Sequence, residues 1–214
     1  MVAMIGYCAA DPNYFRLYFD LWASQMNRFY PEMRKIVAVY NPDQEIEQKC
    51  KDYGVELRSA TLTENPSRPH YYLLRWLNLP YDTNELILET QINCLPVRKQ
   101  MFSSNQNVDH LRIVRPKRDT TGGVSAAVFK SEAAERVVEQ ARIMLENPPD
   151  GDHPMNRWQA QNLIWEKSVT EQQFKSLNQS IESWCCWVTA GTSQHYTAEQ
   201  KLQTLYHYIQ RKVN

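Results

Sequence analysis

Glycine is scarce, six in 214 residues, and the scarcity excludes several common ways of holding phosphate. No G-x-G-x-x-G follows the first apolar run, and no G-x-x-x-x-G-K-[ST] occurs, so the dinucleotide fingerprint and the P-loop are both missing. A G-x-S-x-G elbow and an H-E-x-x-H pair are missing too, which removes the usual serine-hydrolase and zinc-protease signatures. No apolar run approaches the ~20 residues of a membrane-spanning helix. The first fifteen residues, MVAMIGYCAADPNYF, carry no basic segment before their apolar run and read as a strand, so no signal peptide and a cytoplasmic location are expected. Neither sign of charge dominates: 24 basic residues face 24 acidic ones, so no global field draws the chain to nucleic acid or lipid. The five cysteines (Cys8, Cys50, Cys94, Cys185, Cys186) are odd in number and show neither a zinc spacing nor a Cys-x-x-Cys pair. Reduced thiols fit them best. The five histidines (His70, His110, His153, His195, His207) lie far apart, and each alone reads as a surface or internally satisfied side chain.

What is present is an alternation of strand and helix signals. Val2–Ala9 is an apolar strand stopped by Asp11-Pro12-Asn13, and Tyr14–Phe29 places Phe15, Tyr18, Phe19, Trp22 and Met26 at helical spacing. Lys35–Tyr40 is a second strand, closed by Asn41-Pro42-Asp43. Asp43 suits the cap of a helix that turns Ile46, Cys50 and Tyr53 inward and ends at Gly54. Val55–Leu62 alternates as a third strand, His70–Leu79 is helical up to Pro80, and Glu85–Leu95 is a fourth strand. Further on, Ile113–Arg118 reads as a strand, and Gly122–Phe129 as a glycine turn feeding another. Ser131–Leu145 is an amphipathic helix with Val137, Val138, Ala141 and Leu145 on one face. Asn156–Lys167, Thr170–Leu177 and Tyr196–Lys212 read as helices. This order predicts an α/β fold, a mostly parallel central sheet flanked by helices in one domain over residues 1–214. Ligands bind beyond the carboxyl ends of such sheets, which selects Ala9-Ala10-Asp11, Asn41 and Glu89-Thr90-Gln91. The segment 98–118 holds Arg98, Lys99, Arg112, Arg115, Lys117 and Arg118 against Asp109 alone. It is either a solvated edge or a surface for a phosphate-bearing acceptor.

The stretch PHYYLLRWLNLPYDTNELILETQINCLPVRKQMF, from Pro69 to Phe102, resembles the nucleotide-sugar glycosyltransferases of the type-A fold. Those enzymes carry a helix rich in Tyr, Leu and Arg, then an apolar strand ending in Asp-x-Asp, a proline and a phenylalanine. Glu89-Thr90-Gln91 stands where Asp-x-Asp would stand, with Pro96 and Phe102 after it. Gly122-Gly123-Val124 is similar to the family's acceptor-side strand with its Ser-capped helix. His195-Tyr-Thr-Ala198-Glu-Gln-Lys201 resembles the His-x-x-Gly-x-x-Lys of glycogenin-like members, with alanine for glycine.

The resemblance implies a glycosyltransferase moving a sugar from a nucleoside-diphosphate donor to an acceptor that the sequence does not name. Residues 1–100 would be the nucleotide-binding half, and 101–214 the acceptor-side half with the C-terminal helix. Ala9, Ala10, Asp11 and Tyr14 would cradle base and ribose, Glu89 would touch ribose or sugar, and Lys201 would address the diphosphate. Gly122, Gly123 and Gln161 would line the acceptor side. The departures remove charge: Gln91 replaces a metal-binding carboxylate, and Ala160 stands where an acid belongs. A neutral amide is a poor ligand for a hard cation, so bound manganese or magnesium is doubtful, and His195 is its one remaining candidate ligand. Read as a plain strand, Glu89 and Gln91 would simply share a solvated face. A catalytically silent relative that binds a partner or nucleotide sugar, and an unrelated nucleotide-binding α/β module, are the alternatives.

Overall fold

In the computed structural model, the described residues are 3–60, 68–96, 99, 110–113, 126–147, 185–187 and 207. Strand β1 (Met4–Ala10) leads into helix α1 (Pro12–Phe29), β2 (Arg34–Tyr40), α2 (Gln44–Asp52) and β3 (Glu56–Ala60). Helix α3 (Arg68–Leu77) precedes β4 (Leu86–Thr90) and β5 (Cys94–Pro96). Then come β6 (His110–Ile113), β7 (Ala126–Phe129), α4 (Ser131–Glu146) and β8 (Cys185–Trp187). The main sheet runs β3-β2-β1-β4-β7-β6, and β5 pairs with β8 in a separate ribbon. β3, β2, β1 and β4 are mutually parallel. β7 and β6 are joined by antiparallel pairing, so the sheet is mixed with a parallel core.

Strand residues alternate between two helical layers because successive side chains leave a strand on opposite faces. Cys8, Val37, Val39 and Leu88 face α1 and α2, where Phe15, Phe19, Trp22 and Ile46 bury against them. Ile5, Tyr7, Ile36, Ile87 and Phe129 face α3 and α4, meeting Leu73, Trp76, Val137 and Ala141. α1 lies so close to β1 that a Cβ on Gly6 would stand 2.4 Å from the Cε of Met26.

The local signals worked where they are chemical. Asp11 caps α1 ahead of Pro12, and Asp43 caps α2, its carboxylate accepting from the Ile46 N–H at 3.0 Å. Gly54 ends α2 at φ 65°, a left-handed geometry that disfavours side chains. Two expectations need correction. The strand expected over Glu85–Leu95 breaks at Gln91, where the Cys94 N–H bonds back to the Gln91 carbonyl at 2.8 Å and starts a separate strand. Ser131 does not cap α4. Lys130 occupies the cap position without a side-chain bond, and the Ser131 hydroxyl donates to the Tyr81 carbonyl. Of the strand expected at Ile113–Arg118, only Ile113 is described, as the last residue of β6, and the rest lies outside the described residues. The helices expected at Asn156–Lys167 and Thr170–Leu177 lie outside the described residues, as does that at Tyr196–Lys212 apart from His207, which is helical and exposed.

Candidate functional site

Chain direction fixes where a site belongs. From β1 the chain winds outward through β2 to β3, then returns by α3 to lay β4 on the other side of β1. The strand order therefore reverses between β1 and β4, and the carboxyl end of that pair is where open α/β sheets bind their ligands. Register places Tyr7 opposite Glu89. Continued two residues, that register brings Ala9 level with Gln91 and sets Asp11 just beyond. The sequence-selected groups at the ends of β1 and β4 thus share one edge.

The first rim belongs to α1. Asp11 holds extended backbone, and its Oδ1 accepts from the Asn13 and Tyr14 N–H groups at 2.9 and 3.0 Å. Ala10 is buried and Ala9 half-buried, so β1 ends in small side chains at this edge. Tyr14 is 38% exposed, one of the two large apolar side chains open to solvent among the described residues. Its ring leans on Tyr18 with centroids 5.6 Å apart. Arg16, two residues further, binds Asp43 and Glu45, the latter at 3.2 Å, and so ties the amino ends of α1 and α2 together. Asn41, at φ 41°, turns the chain out of β2.

The second rim, at β4, is more deeply set. Glu89 is 0% exposed and its Oε2 accepts from Arg75 Nη2 at 2.6 Å. Arg75 comes from α3, with its guanidinium 4.1 Å above the Trp76 ring. The Tyr7 hydroxyl donates to the Arg75 carbonyl at 3.0 Å, which anchors α3 to β1 at the same level. Burial pushes the Glu89 carboxyl up, and Arg75 pulls it down without cancelling the rise. Burial also pushes up the Tyr7 phenol, and the Glu89 charge adds to that. On the other face, Trp22 Nε1 donates to Thr90 Oγ1 at 2.8 Å, locking the last residue of β4 to α1. Gln91 follows, half-buried at the edge.

Structure therefore brings Ala9, Ala10, Asp11, Tyr14 and Gln91 to the rim and sinks Glu89 beneath it. The solvated face that the strand pattern allows for Glu89 is in fact the packed underside of α3. Gly122, Gly123, Gln161, His195 and Lys201 lie outside the described residues. Sequence reasoning passed over Arg75 and Arg16. Arg75 had a signal: a lone cation among Leu73, Leu74 and Trp76 needs a lone acid in the facing strand. In the basic segment, Lys99 is paired to Glu32 at 2.8 Å. An open cleft of about 390 Å³ beside Tyr81, Glu135, Arg136 and Arg142 lies along α4 instead.

A hard divalent cation takes six or more oxygen ligands, several of them charged. Among the described residues of β4, Glu89 Oε1 is a buried oxygen without a hydrogen-bond partner, on a carboxylate already balanced by Arg75. With the neutral amide of Gln91 it does not make a donor set, and no group of three potential ligands occurs among the described residues. The described part of the site does not fit the metal. No helix among the described residues is long and apolar enough to cross a membrane.

No protein-family profile and no curated protein matches the sequence. Solved structures do match. The apo form of the glycosyltransferase GlyE from Streptococcus pneumoniae gives a TM-score of 0.57 at 11% identity, covering 85% of this chain and 46% of that one. A second GlyE structure gives 0.51 at 10% identity, over 84% of this chain and 46% of that one. The apo bifunctional glycosyltransferase WbbM gives 0.54 at 10% identity, over 83% of this chain and 38% of that one. This chain thus spans less than half the length of each. At such identities the likeness is one of fold, and the fold is that of type-A glycosyltransferases.

Proposed function

We propose that this chain binds a nucleoside-diphosphate sugar at the carboxyl edge of β1 and β4 and transfers the sugar to an acceptor. One observation carries the reading: the strand order reverses where small residues, an exposed tyrosine and a helix amino end meet the end of β4. Tyr14 offers its ring face to the base, and Ala9 and Ala10 leave room for base and ribose. Asp11 and the amide of Gln91 supply polar contacts at the two rims. Glu89, held below, orients the end of β4 through Arg75. Lys201 and His195 are assigned to the diphosphate, and Gly122, Gly123 and Gln161 to the acceptor side. Residues 1–100 then form the donor half, and 101–214 the acceptor half.

The chemistry demands neutralisation of the departing diphosphate. A fixed cation aimed at that charge is typically worth about 3 kcal/mol of barrier when a single group is removed. Lys201 is the residue assigned to this task, with the basic segment 98–118 as a surface for a phosphate-bearing acceptor.

Calorimetry with UDP, GDP and CDP tests the binding reading, with Tyr14→Ala as the control. Binding of one nucleotide that weakens in Tyr14→Ala, without loss of folding stability, supports it. No binding of any of them ends it. A second reading, a silent relative that binds without turnover, is favoured by the burial of Glu89. Donor hydrolysis without acceptor separates the two, since a silent relative leaves the nucleotide sugar intact.

A further inference from the structure

The acids around this edge share a property that the strand pattern does not reveal. Asp11 Oδ1 accepts from two N–H groups of α1, where the positive end of the helix dipole also faces it. Asp43 accepts from the Ile46 N–H on one oxygen and from Arg16 on the other. Glu45 meets the same guanidinium. Glu89 is held by Arg75 in the interior, with side-chain exposures of 0% and 9%. Each carboxylate therefore already has an internal partner, and drawing it toward a metal would break a cap or strand a guanidinium. Among the described residues one further acid, Glu47, is exposed in the first turn of α2, and a single surface carboxylate does not hold a hard cation.

From this arrangement we infer that ligand binding at the edge is independent of divalent cation, and that Glu89 is a structural strut rather than a metal ligand. The inference rests on the nucleotide reading only for what occupies the edge. Its statement about Glu89 and the cation stands on the ion pairs alone. Glu89 is thus a positioning residue: with Arg75 it fixes the end of β4 against α3 and sets the height at which Gln91 emerges. Replacing it strands the buried Arg75 guanidinium and so disturbs folding, whereas replacing a ligand would disturb metal affinity.

Both consequences are measurable on the full chain. Manganese is titrated alone, followed by water-proton relaxation, and UDP and GDP are titrated with manganese and then with chelator. The expected manganese dissociation constant is about millimolar or weaker, and nucleotide affinity changes by no more than roughly twofold between the buffers. Glu89→Gln is expected to lower the melting temperature by several degrees, leave the relaxation trace unaltered and keep its nucleotide affinity cation-independent. Gln91→Asp, which adds a second carboxylate at the end of β4, is expected to introduce a manganese dependence absent from the parent chain. Micromolar manganese binding by the parent protein overturns the inference, as does tenfold tighter nucleotide binding in manganese. A Glu89→Gln protein with unchanged melting and lost manganese binding overturns it equally. If neither nucleotide binds in either buffer, the proposed function fails, and the manganese titration with the Glu89→Gln melt still decides this point.

Discussion

Replacing Arg75 by methionine gives a sharp test of how the edge is built. The stem is largely preserved, but Glu89 then sits at 0% exposure with no counter-charge. Breaking a buried pair from one side typically costs about 3–5 kcal/mol, because the remaining ion cannot be solvated. For a chain of this length each kcal/mol moves the melting temperature by about 2–4 °C, so a drop of roughly 6–20 °C is expected. The loss should depend on pH. Burial holds the folded-state pKa of Glu89 above the ordinary glutamate value, so folding favours the protonated form. The stability tied to that proton is fully present below the unfolded pKa and is lost as pH rises through the folded one. Without Arg75 the folded pKa rises further, so the penalty grows from acid to neutral pH. Arg75→Met combined with Glu89→Leu should recover most of the loss, since hydrophobic replacement of a buried pair is often neutral or stabilising by about 1–4 kcal/mol. Urea melts at several pH values on the parent, both single variants and the double variant give the coupling and its pH dependence. A single variant within about 1 kcal/mol of the parent, or a penalty independent of pH, would refute the buried charge pair.

Three further outcomes follow from other contacts. Thr90→Val keeps the side chain's shape but leaves the buried Trp22 N–H without its acceptor, and should cost about 1–3 kcal/mol in a urea melt. Asp11→Ala removes the cap of α1 and should cost about 1 kcal/mol, with Asn restoring most of it because an amide oxygen accepts the same bonds. Cys50, whose thiol burial pushes up to about 12, should resist iodoacetamide at neutral pH in the native protein and react in urea, as mass spectrometry of its peptide would show.

Legibility differed sharply between the two rims. The α1 rim could be read because its determinants are contiguous: Asp11, Pro12 and the helical spacing of Phe15, Phe19 and Trp22 all act within a few residues. The β4 rim could be read as a strand reaching the same edge, but its interior could not. Ile92, Cys94 and Leu95 continue the apolar pattern across a turn closed by one backbone bond, so the break at Gln91 left little trace. Alternation alone assigned Glu89 a face without saying whether water or α3 covered it. The answer lay 14 positions upstream at Arg75, in a partnership that packing creates. The mixed character of the sheet was hidden for a similar reason, since nothing local tells β7 to run against β4 rather than along it.

The strand order also sets a timetable. The parallel quartet β3-β2-β1-β4 is complete once Thr90 has left the ribosome, and each of its strands then has a neighbour already made. The outer edge of β4 must wait for Ala126–Phe129, about 40 residues later, which at ordinary synthesis rates is a delay of roughly 2–8 s. β5 waits longer, because Cys185–Trp187 arrives roughly ninety residues after it. Throughout that interval the nascent chain carries an open strand edge at Leu86–Thr90, its outward N–H and C=O groups not yet paired by β7. A ribosome paused between residues 90 and 126 is therefore the point in synthesis where this protein most needs a chaperone.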